Sequence, residues 1–314
     1  MRSRLITVFG GTGFIGRHLI RRLAARGARL LVVSRNPQRG GHLQPMGSVG
    51  QIVVKRFDLS RDEALASALT GAAAVVNLIG ILYEKRHQQF EKVQGALPGR
   101  IASAAARAGI ERMVQISAIG ADANSASAYA RSKAEGERRA REALPSATIV
   151  RPSIVIGPED GFFNRFAAMA RLLPALPLIG GGKTRFQPVY VGDVADAIVA
   201  ALERPEAAGQ TYELGGPQVY SFAELMRYML DVLGRRRMLV PVSFGLAELQ
   251  ARFLELLPVP PLTRDQVELL KTDNVVTEGA KGLADLGIAP TPIELIVPEY
   301  LARYRGGPRR MVRL

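Results

Sequence analysis

The sequence has no cysteine and only three histidines, and both shortages exclude whole classes of chemistry. Without cysteine the chain has no disulfides, thiolate nucleophiles or cysteine-ligated metals, and nothing in it indicates an oxidising compartment. The three histidines, His18, His42 and His87, are scattered through the first third of the chain, which disfavours a histidine-rich metal site. We therefore expect no metal centre.

Long apolar runs are also missing. No window has the roughly 18 uninterrupted apolar residues that a membrane-spanning helix needs. The chain passes from Met1 directly into a predicted strand, without a preceding secretory segment. These features predict a soluble or peripheral protein, with a bacterial cytoplasm as the simplest location and a mature organelle protein as the alternative.

Acidic residues are scarce relative to basic ones, 28 against 42, which gives a formal net charge of +14. The first acid is Asp58, and the tail from Arg305 to Arg313 contains four arginines and no acid. Such an excess suits an anionic lipid surface or an acidic protein partner. Nucleic acid is disfavoured because the basic residues are not interleaved with aromatics and no recognition motif is present. A solvated, arginine-rich surface without any partner explains the charge equally well.

The most informative stretch runs from Leu5 to Arg35. An apolar run, Leu5 to Phe9, is followed by Gly10, Gly13 and Gly16 at three-residue spacing, then by a helical pattern and a second apolar run. Strand, glycine-rich turn, helix and strand in this order are typical of a dinucleotide-binding unit. The glycines permit a tight turn, a close approach to a pyrophosphate and close packing of the helix. The amides at the helix start then face the phosphates.

Further strands alternate with helices along the first half of the chain. Strands are predicted at Gln51 to Phe57, Ala72 to Asn77, Arg112 to Ser117 and Thr148 to Ile156, and helices at Phe90 to Ala108, with a kink at Pro98, and at Tyr129 to Leu144. This alternation predicts an α/β protein with a Rossmann-type, doubly wound parallel sheet. We expect a nucleotide-binding domain at residues 1–157, with contributions from about 188–215, and a smaller, mostly helical C-terminal lobe at residues 158–314.

Capping boxes predict where several other helices begin. The pattern, a serine or threonine followed three residues later by glutamate or glutamine, occurs at Ser60/Glu63, Ser221/Glu224, Thr263/Gln266 and Thr291/Glu294. The last three open predicted helices at Ser221 to Leu233, Thr263 to Lys271 and Pro292 to Tyr304. Asp193 to Leu202 is expected to be a helix that returns to the first domain.

The segment from Phe244 to Leu257 has large apolar residues at helical spacing and is preceded by Arg235, Arg236 and Arg237. Packing in the core is one explanation for this pattern. A surface helix that docks on a membrane or a partner is the alternative, and the neighbouring arginines favour keeping it open.

Tyr129 and Lys133 lie one helical turn apart, so their side chains project from the same face of a helix. The positive charge of Lys133 can lower the pKa of the Tyr129 phenol, which would make the tyrosine a general acid, and the ammonium can bind a nicotinamide ribose. Ser117, at the end of a predicted strand, can hydrogen-bond a substrate carbonyl.

Cofactor preference depends on the end of the second strand. An acid there binds the ribose 2′-hydroxyl of NAD(H), whereas an arginine accepts the 2′-phosphate of NADP(H). The chain has Ser34 and Arg35 at this point. This favours NADP(H), although Arg35 stacked on the adenine is an alternative.

With these motifs the chain resembles the extended and atypical branches of the short-chain dehydrogenase/reductase superfamily. The matching segments also include Arg151-Pro152-Ser153 and Pro188 to Val194. The resemblance implies a catalytic set of Ser117, Tyr129 and Lys133, whose members also bind the cofactor. It implies further cofactor-binding residues at Gly10, Gly11, Thr12, Gly13, Phe14, Ile15, Gly16, Ser34, Arg35, Asp58, Leu59, Leu78, Ile79, Gly80 and Pro152.

Other segments resemble one family more closely, the dehydrogenase-like accessory subunits of respiratory complex I, the NADH:ubiquinone oxidoreductase. They are Asn77 to Gly80, Phe90 to Val93, Phe186 to Val191 and, most diagnostic, Thr263 to Glu268. The resemblance implies that NADP(H) is a tightly held structural cofactor. It places the subunit on the peripheral arm, near the membrane and the quinone site. An asparagine that relays protons in related enzymes is missing, since the corresponding stretch reads Val93-Gln94-Gly95-Ala96.

Three hypotheses follow. The first is a non-catalytic, NADP(H)-binding accessory or assembly subunit of complex I, peripheral on the cytoplasmic face of a bacterial inner membrane or, in a eukaryote, on the matrix side. Its partners would be subunits of the peripheral arm and the anionic membrane surface. The second is a free NADP(H)-dependent reductase or epimerase, acting in quinone or lipid metabolism. The third is a nucleotide sensor that binds a regulatory protein.

Overall fold

The computed structural model describes residues 3–85 and 88–305. His87 and the basic-tail residues Arg309, Arg310 and Arg313 lie outside these ranges. The strands are β1 (Leu5–Phe9), β2 (Arg29–Val33), β3 (Ile52–Lys55), β4 (Ala72–Asn77), β5 (Met113–Ile116), β6 (Thr148–Pro152), β7 (Val155–Ile156), β8 (Ala175–Ile179), β9 (Arg185–Phe186), β10 (Val189–Tyr190), β11 (Thr211–Leu214), β12 (Tyr220–Ser221) and β13 (Met238–Val242). The α-helices are α1 (Phe14–Ala25), α2 (Asp62–Leu69), α3 (Leu97–Arg107), α4 (Ala128–Ala143), α5 (Phe163–Leu172), α6 (Val191–Glu203), α7 (Phe222–Leu233), α8 (Phe244–Leu254), α9 (Arg264–Leu269) and α10 (Ile293–Leu301).

Seven strands form one parallel sheet in the order β11-β6-β5-β4-β1-β2-β3. The interior strands are buried along most of their length, as expected when helices cover both faces of a parallel sheet. The predicted doubly wound fold is confirmed. Chain order reverses between β1 and β4, and the carboxyl ends of strands at such a switch point are where ligands bind in this class of fold.

The chain forms two compact units. The first contains the described residues up to Ser153, together with Val191–Gly215 and Val276–Pro290. The second contains Ile154–Tyr190, Gly216–Val275 and the described residues from Thr291 onward. Residues 276–290 thus make a second return to the first unit. This return has no clear signal in the sequence, because the segment carries only a short 3₁₀ helix at Ala284–Leu286.

The second unit combines helices α5 and α7 to α10 with three two-stranded sheets, β7/β10, β8/β13 and β9/β12. Its core is rich in aromatic side chains, with Phe163, Phe186 and Phe222 all buried. Within the described residues, no helix is both long and apolar enough to cross a membrane.

Two of the four predicted capping boxes are confirmed. Ser221 and Glu224 cap α7 reciprocally, and Thr263 and Gln266 do the same for α9. The box at Ser60 is wrong, because α2 begins after Arg61 and the Ser60 hydroxyl instead donates to Asp58 Oδ1 at 2.6 Å.

The box at Thr291 is also wrong. Helix α10 begins after Pro292, which makes no side-chain capping bond, and Glu294 accepts a hydrogen bond from the Tyr220 hydroxyl at 2.8 Å.

Two predicted segments are arranged differently in the structure. The strand predicted to reach Ile156 ends at Pro152, and Val155–Ile156 forms a separate strand in the other unit. The helix predicted across Pro98 is not broken there: a π-helix, Glu91–Ala96, passes directly into the α-helix α3 one residue before the proline. The wider π turn before Pro98 accommodates a residue that cannot donate a backbone N–H.

Candidate functional site

The glycine turn links β1 to α1 with the geometry that a phosphate site requires. Gly10 has a φ of +77°, which favours glycine. A Cβ on Gly16 would lie 2.3 Å from the carbonyl oxygen of Gly11, so only glycine lets α1 pack this closely on the turn. The N-cap of α1 is Gly13, which has no side chain to cap the helix, and no acid occupies the first turn. The first amides of α1 are therefore suited to an anion.

The end of β2 lies beside this turn. The Ser34 hydroxyl is 3.1 Å from that of Thr12, and Arg35 is exposed with its guanidinium against the side-chain amide of Gln88. Gly40, which sequence reasoning missed, lies in a 3₁₀ helix, Pro37–Met46, that follows β2. It packs against Thr12 and Val54, which keeps this helix close to the glycine turn. The hydroxyls of Thr12 and Ser34 thus meet beside the turn, and Arg35 follows Ser34 directly in the chain.

Asp58 and Leu59 follow β3. The Asp58 carboxylate is exposed, and its Oδ1 accepts hydrogen bonds from the backbone N–H of Ser60 at 3.1 Å and from its hydroxyl. These bonds lower the pKa of Asp58 below its ordinary value. Leu59 is half-buried, and its carbonyl accepts from Arg100.

Tyr129 and Lys133 lie on the first two turns of α4. The Ser127 hydroxyl caps this helix by accepting a hydrogen bond from the Ala130 N–H at 3.2 Å. The Lys133 ammonium lies 5.7 Å from the centroid of the Tyr129 ring, and the Phe90 ring packs edge-on against the phenol at 5.8 Å. The structure therefore brings the predicted pair together on one helix face.

Lys133 is buried, and burial lowers the pKa of its ammonium from 10.5 to about 8, with the Glu137 carboxylate opposing this shift. The only hydrogen bond of the ammonium within the described chain is a long one, 3.5 Å to the carbonyl of Ile116. The Ser117 hydroxyl, one residue further along, is buried and has no hydrogen-bond partner among the described residues. A buried donor left without partners is costly, so both groups fit a polar ligand such as a ribose or a carbonyl.

The loop after β4 runs beneath this pair. The Leu78 N–H donates to the Phe9 carbonyl at 2.9 Å, and a Cβ on Gly10 would lie 3.2 Å from the N of Ile79. A Cβ on Gly80 would lie 3.4 Å from Lys133 Nζ. Leu78, Ile79 and Gly80 therefore connect the glycine turn to the Tyr129/Lys133 pair.

Pro152, the remaining predicted cofactor residue, ends β6, and its carbonyl accepts from the Ile119 N–H at 3.1 Å. It fixes the loop that follows Ser117. Ser34, Arg35 and Asp58, by contrast, lie at the ends of β2 and β3, on the other side of β1 from β5. The predicted residues thus form two groups along one sheet edge, a spacing that suits the two ends of a dinucleotide.

Two buried side-chain amides that sequence reasoning left without a role support this edge through three hydrogen bonds. Asn77 Nδ2 donates to Gln115 Oε1 at 2.8 Å, Gln115 Nε2 donates to the Ile116 carbonyl at 2.7 Å, and Asn77 Oδ1 accepts from the Ile79 N–H at 3.1 Å. Their only sequence signal is a polar residue inside an apolar strand.

Gln94 lies in the π-helix, within the stretch Val93 to Ala96 that lacks the asparagine expected from the resemblance. Its Oε1 accepts from the Ile81 N–H at 2.8 Å and its Nε2 donates to the Ser132 hydroxyl at 3.1 Å. A Cβ on Gly136 would lie 2.0 Å from the Gln94 carbonyl oxygen, so α4 packs directly on this turn. The Gln94 amide therefore ties the loop after β4 to α4.

The family profile of the NAD dependent epimerase/dehydratase family matches residues 6–215. Among solved structures, the chain resembles the triphenylmethane reductase of Citrobacter sp. with a TM-score of 0.75 at 22% identity, over 95% of this chain and 99% of that one. At this identity the likeness shows the fold alone.

Two curated relatives cover most of the chain. The Arabidopsis thaliana protein named NADH dehydrogenase (ubiquinone) 1 alpha subcomplex subunit 9, mitochondrial, is 39% identical over 96% of this chain and 78% of that protein. The protein named ceramide reductase, from Caulobacter vibrioides, is 32% identical over 75% of this chain and 73% of that protein. The chain belongs to the NAD dependent epimerase/dehydratase family and, within it, is similar over nearly its whole length to a subunit 9 protein.

Proposed function

We propose that the protein is an NADP(H)-binding accessory or assembly subunit of respiratory complex I that holds its nucleotide mainly as a structural cofactor. The observation that carries this proposal is the similarity to a subunit 9 protein across both units, including the second unit, which lies mostly beyond the family match. In this proposal the subunit lies on the peripheral arm near the quinone site. It faces the bacterial cytoplasm or, in a eukaryote, the mitochondrial matrix.

The nucleotide would lie across the carboxyl ends of the strands. The first turn of α1 would hold the pyrophosphate, Asp58 and Leu59 would border the adenine, and Tyr129 and Lys133 would grip the nicotinamide ribose. A bound NADP(H) would supply a hydride donor or acceptor at this position. The burial of Lys133 and Ser117, with few internal partners, supports this placement.

Preference for NADP(H) is proposed from Ser34 and Arg35. Arg35→Glu should weaken NADPH binding about 10- to 100-fold, since a charge-assisted bond is replaced by repulsion, and should leave NADH binding unchanged or stronger. Isothermal titration of both nucleotides measures this. Arg171→Glu, at another exposed arginine in the second unit, is the control. Equal loss for NADH and NADPH would contradict the assignment.

The surface of α8 supports docking on an anionic membrane or on the complex. Ala247 and Ala251 are its buried residues, whereas Leu246, Leu249 and Phe253 are about half or more exposed, at 48, 54 and 65%. The larger apolar face therefore points outward. This favours the docking alternative for the segment over core packing.

The deciding experiment is gentle detergent purification of the tagged protein from its own membranes, followed by mass spectrometry of co-purifying chains and of extracted nucleotide. Recovery of complex I subunits with near-stoichiometric NADP(H) is expected. A lone soluble protein with exchangeable nucleotide would contradict the proposal.

That second outcome would favour the alternative, a free NADP(H)-dependent reductase or epimerase of quinone or lipid metabolism. The specific observation for it is the similarity to a protein named ceramide reductase, together with the retained Tyr129/Lys133 pair. An enzyme should lose turnover in Tyr129→Phe while still binding nucleotide. A structural subunit has no turnover to lose.

A further inference from the structure

A set of buried charges continues from Lys133 into the first unit. Glu137 and Glu213 are both buried, and Arg151 of β6 lies between them. Arg151 Nε and Nη2 donate to the two oxygens of Glu137 at 2.9 and 2.7 Å, and Nη1 lies 3.3 Å from Glu213 Oε1. This arrangement raises the pKa of Arg151 above its ordinary value. Lys133, Glu137, Arg151 and Glu213 alternate in sign and sum to zero charge.

The other oxygen of Glu213 binds the chain's second return to this unit. Glu213 Oε2 accepts from the Thr277 N–H at 2.9 Å, and the Glu213 N–H donates to the Lys281 carbonyl at 2.8 Å. Residues 276–290 are therefore fixed to the same carboxylate that holds Arg151. The contacts form an unbroken series from this segment to Glu137, one helical turn from Lys133.

The surroundings of Lys133 show which groups can act on its charge. Its own helix supplies Tyr129 and Glu137, β5 and the following residue supply the Ile116 carbonyl and Ser117, and the π-helix supplies the neutral amide of Gln94. Among these described groups only Glu137 carries a negative charge. A buried ammonium stays charged only where the field of its neighbours offsets desolvation, so Glu137 bears most of that task.

We propose that Glu137, Arg151 and Glu213 are positioning residues that hold the Lys133 ammonium charged and in place for the nucleotide. Through the same contacts they couple nucleotide binding at Lys133 to the packing of residues 276–290 on the first unit. This inference rests on the proposed nucleotide site. The competing explanation is that these three residues only hold α4 against the sheet. In that case their substitution would affect stability but not the protonation of Lys133.

The test uses Glu137→Gln and Glu213→Gln in the full-length protein, with Glu142→Gln, an exposed carboxylate on the same helix, as the matched control. NADPH affinity is measured from pH 7 to 9.5. The titration midpoint of the Lys133 ammonium is measured in 13C-lysine-labelled protein, and the Lys133 signal is assigned by its loss in Lys133→Arg. Glu137→Gln should lower the midpoint by about one unit, which at pH 8 reduces the charged fraction and the NADPH affinity roughly fivefold. Glu213→Gln should act in the same direction but more weakly.

Hydrogen exchange tests the coupling. NADPH should slow exchange of the amides of residues 276–290 in the wild type and in Glu142→Gln, but much less in Glu213→Gln. Unchanged Lys133 midpoints in both variants, with wild-type pH curves for NADPH, would overturn the inference, even if the variants are less stable. If the wild type bound no NADPH at all, the proposed function would fail, and the Lys133 midpoint alone would still decide whether these carboxylates control its charge.

Discussion

The carboxyl edge of the main sheet and the surface of α8 depart from ordinary burial in opposite ways. At the sheet edge, Ser117 and Lys133 are buried polar groups with few partners in the described chain. On α8 and the turn after it, Phe253 and Leu256 are apolar side chains exposed to 65 and 83%. A buried polar group needs hydrogen bonds, and an exposed apolar cluster gains by losing water. The first region is thus suited to a polar small molecule, the second to an apolar or membrane surface.

The contrast also separates stability from function. At the sheet edge Ser117 and Lys133 are part of the buried structure, so changing them should affect both folding and binding. On α8 the exposed side chains contribute little to the fold, so changing them should affect association alone. Substitutions in the two regions can therefore test this separation.

Gly16→Ala should destabilise the protein by about 3 kcal/mol and abolish high-affinity nucleotide binding. Its Cβ would lie 2.3 Å from the Gly11 carbonyl oxygen and 2.5 Å from its carbon, and neither backbone atom can move without opening the turn. Gly41→Ala is the matched control, because nothing lies within 4 Å of its Cβ. Chemical denaturation and NADPH titration measure both effects. Equal stability of the two variants would show that α1 can move away from the Gly11 carbonyl without loss of stability.

Lys133→Met should remove a pH dependence of stability. Burial lowers the pKa of Lys133 from 10.5 to about 8, so between these values the unfolded chain binds more protons than the folded one. The free energy of unfolding of the wild type therefore rises with pH through this window, by about 3 kcal/mol relative to Lys133→Met. Below about pH 8 the difference in this free energy between the two proteins does not change with pH. Urea titrations of both proteins from pH 7 to 10.5 measure it.

The same substitution should weaken NADPH binding about 10- to 100-fold at pH 7, because the charged hydrogen bond that we propose between Lys133 and the ribose would be lost. Lys183→Met, at an exposed lysine, is the control. A pH-independent stability difference, or unchanged affinity, would mean that Lys133 is a structural residue and not part of a ligand site.

Replacing Phe253 and Leu256 by serine should reduce binding to vesicles of anionic phospholipid by roughly tenfold or more, since full burial of each such side chain is worth about 1.5 to 3 kcal/mol and an interfacial helix buries its side chains only in part. The free energy of unfolding should change by less than about 0.5 kcal/mol, because both side chains are exposed. Val49→Ser, a fully exposed apolar residue of the first unit, is the control in a vesicle co-sedimentation assay. Loss of stability without loss of vesicle binding would mean that these side chains of the α8 surface serve the fold and not association.

The parts of the fold that the sequence predicts are those determined by local patterns. The strands of the sheet, the glycine turn and the Tyr129/Lys133 spacing each depend on residues close in sequence. The contacts that it does not predict are long-range. Arg151 and Glu137 are 14 residues apart, Arg151 and Glu213 are 62 apart, and Glu213 and Thr277 are 64 apart, so no periodicity or spacing rule relates them. The roles of Gln94 and Gln115 depend on buried amide contacts that only the packed structure reveals.

The capping-box pattern shows the same limit on a smaller scale, because it forms a cap at Ser221 in the second unit but not at Ser60 in the first. Ser221 accepts from the Glu224 N–H at 3.2 Å at the start of α7, so Ser221→Ala should cost about 1 kcal/mol. Ser60→Ala, at an identical sequence pattern, should cost less than about 0.5 kcal/mol, because the exposed Ser60 hydroxyl binds Asp58 and caps no helix. Thermal and urea unfolding of the two variants measure the difference. Equal losses would mean that Ser60 caps α2 in solution, and that the pattern alone suffices to place a helix start.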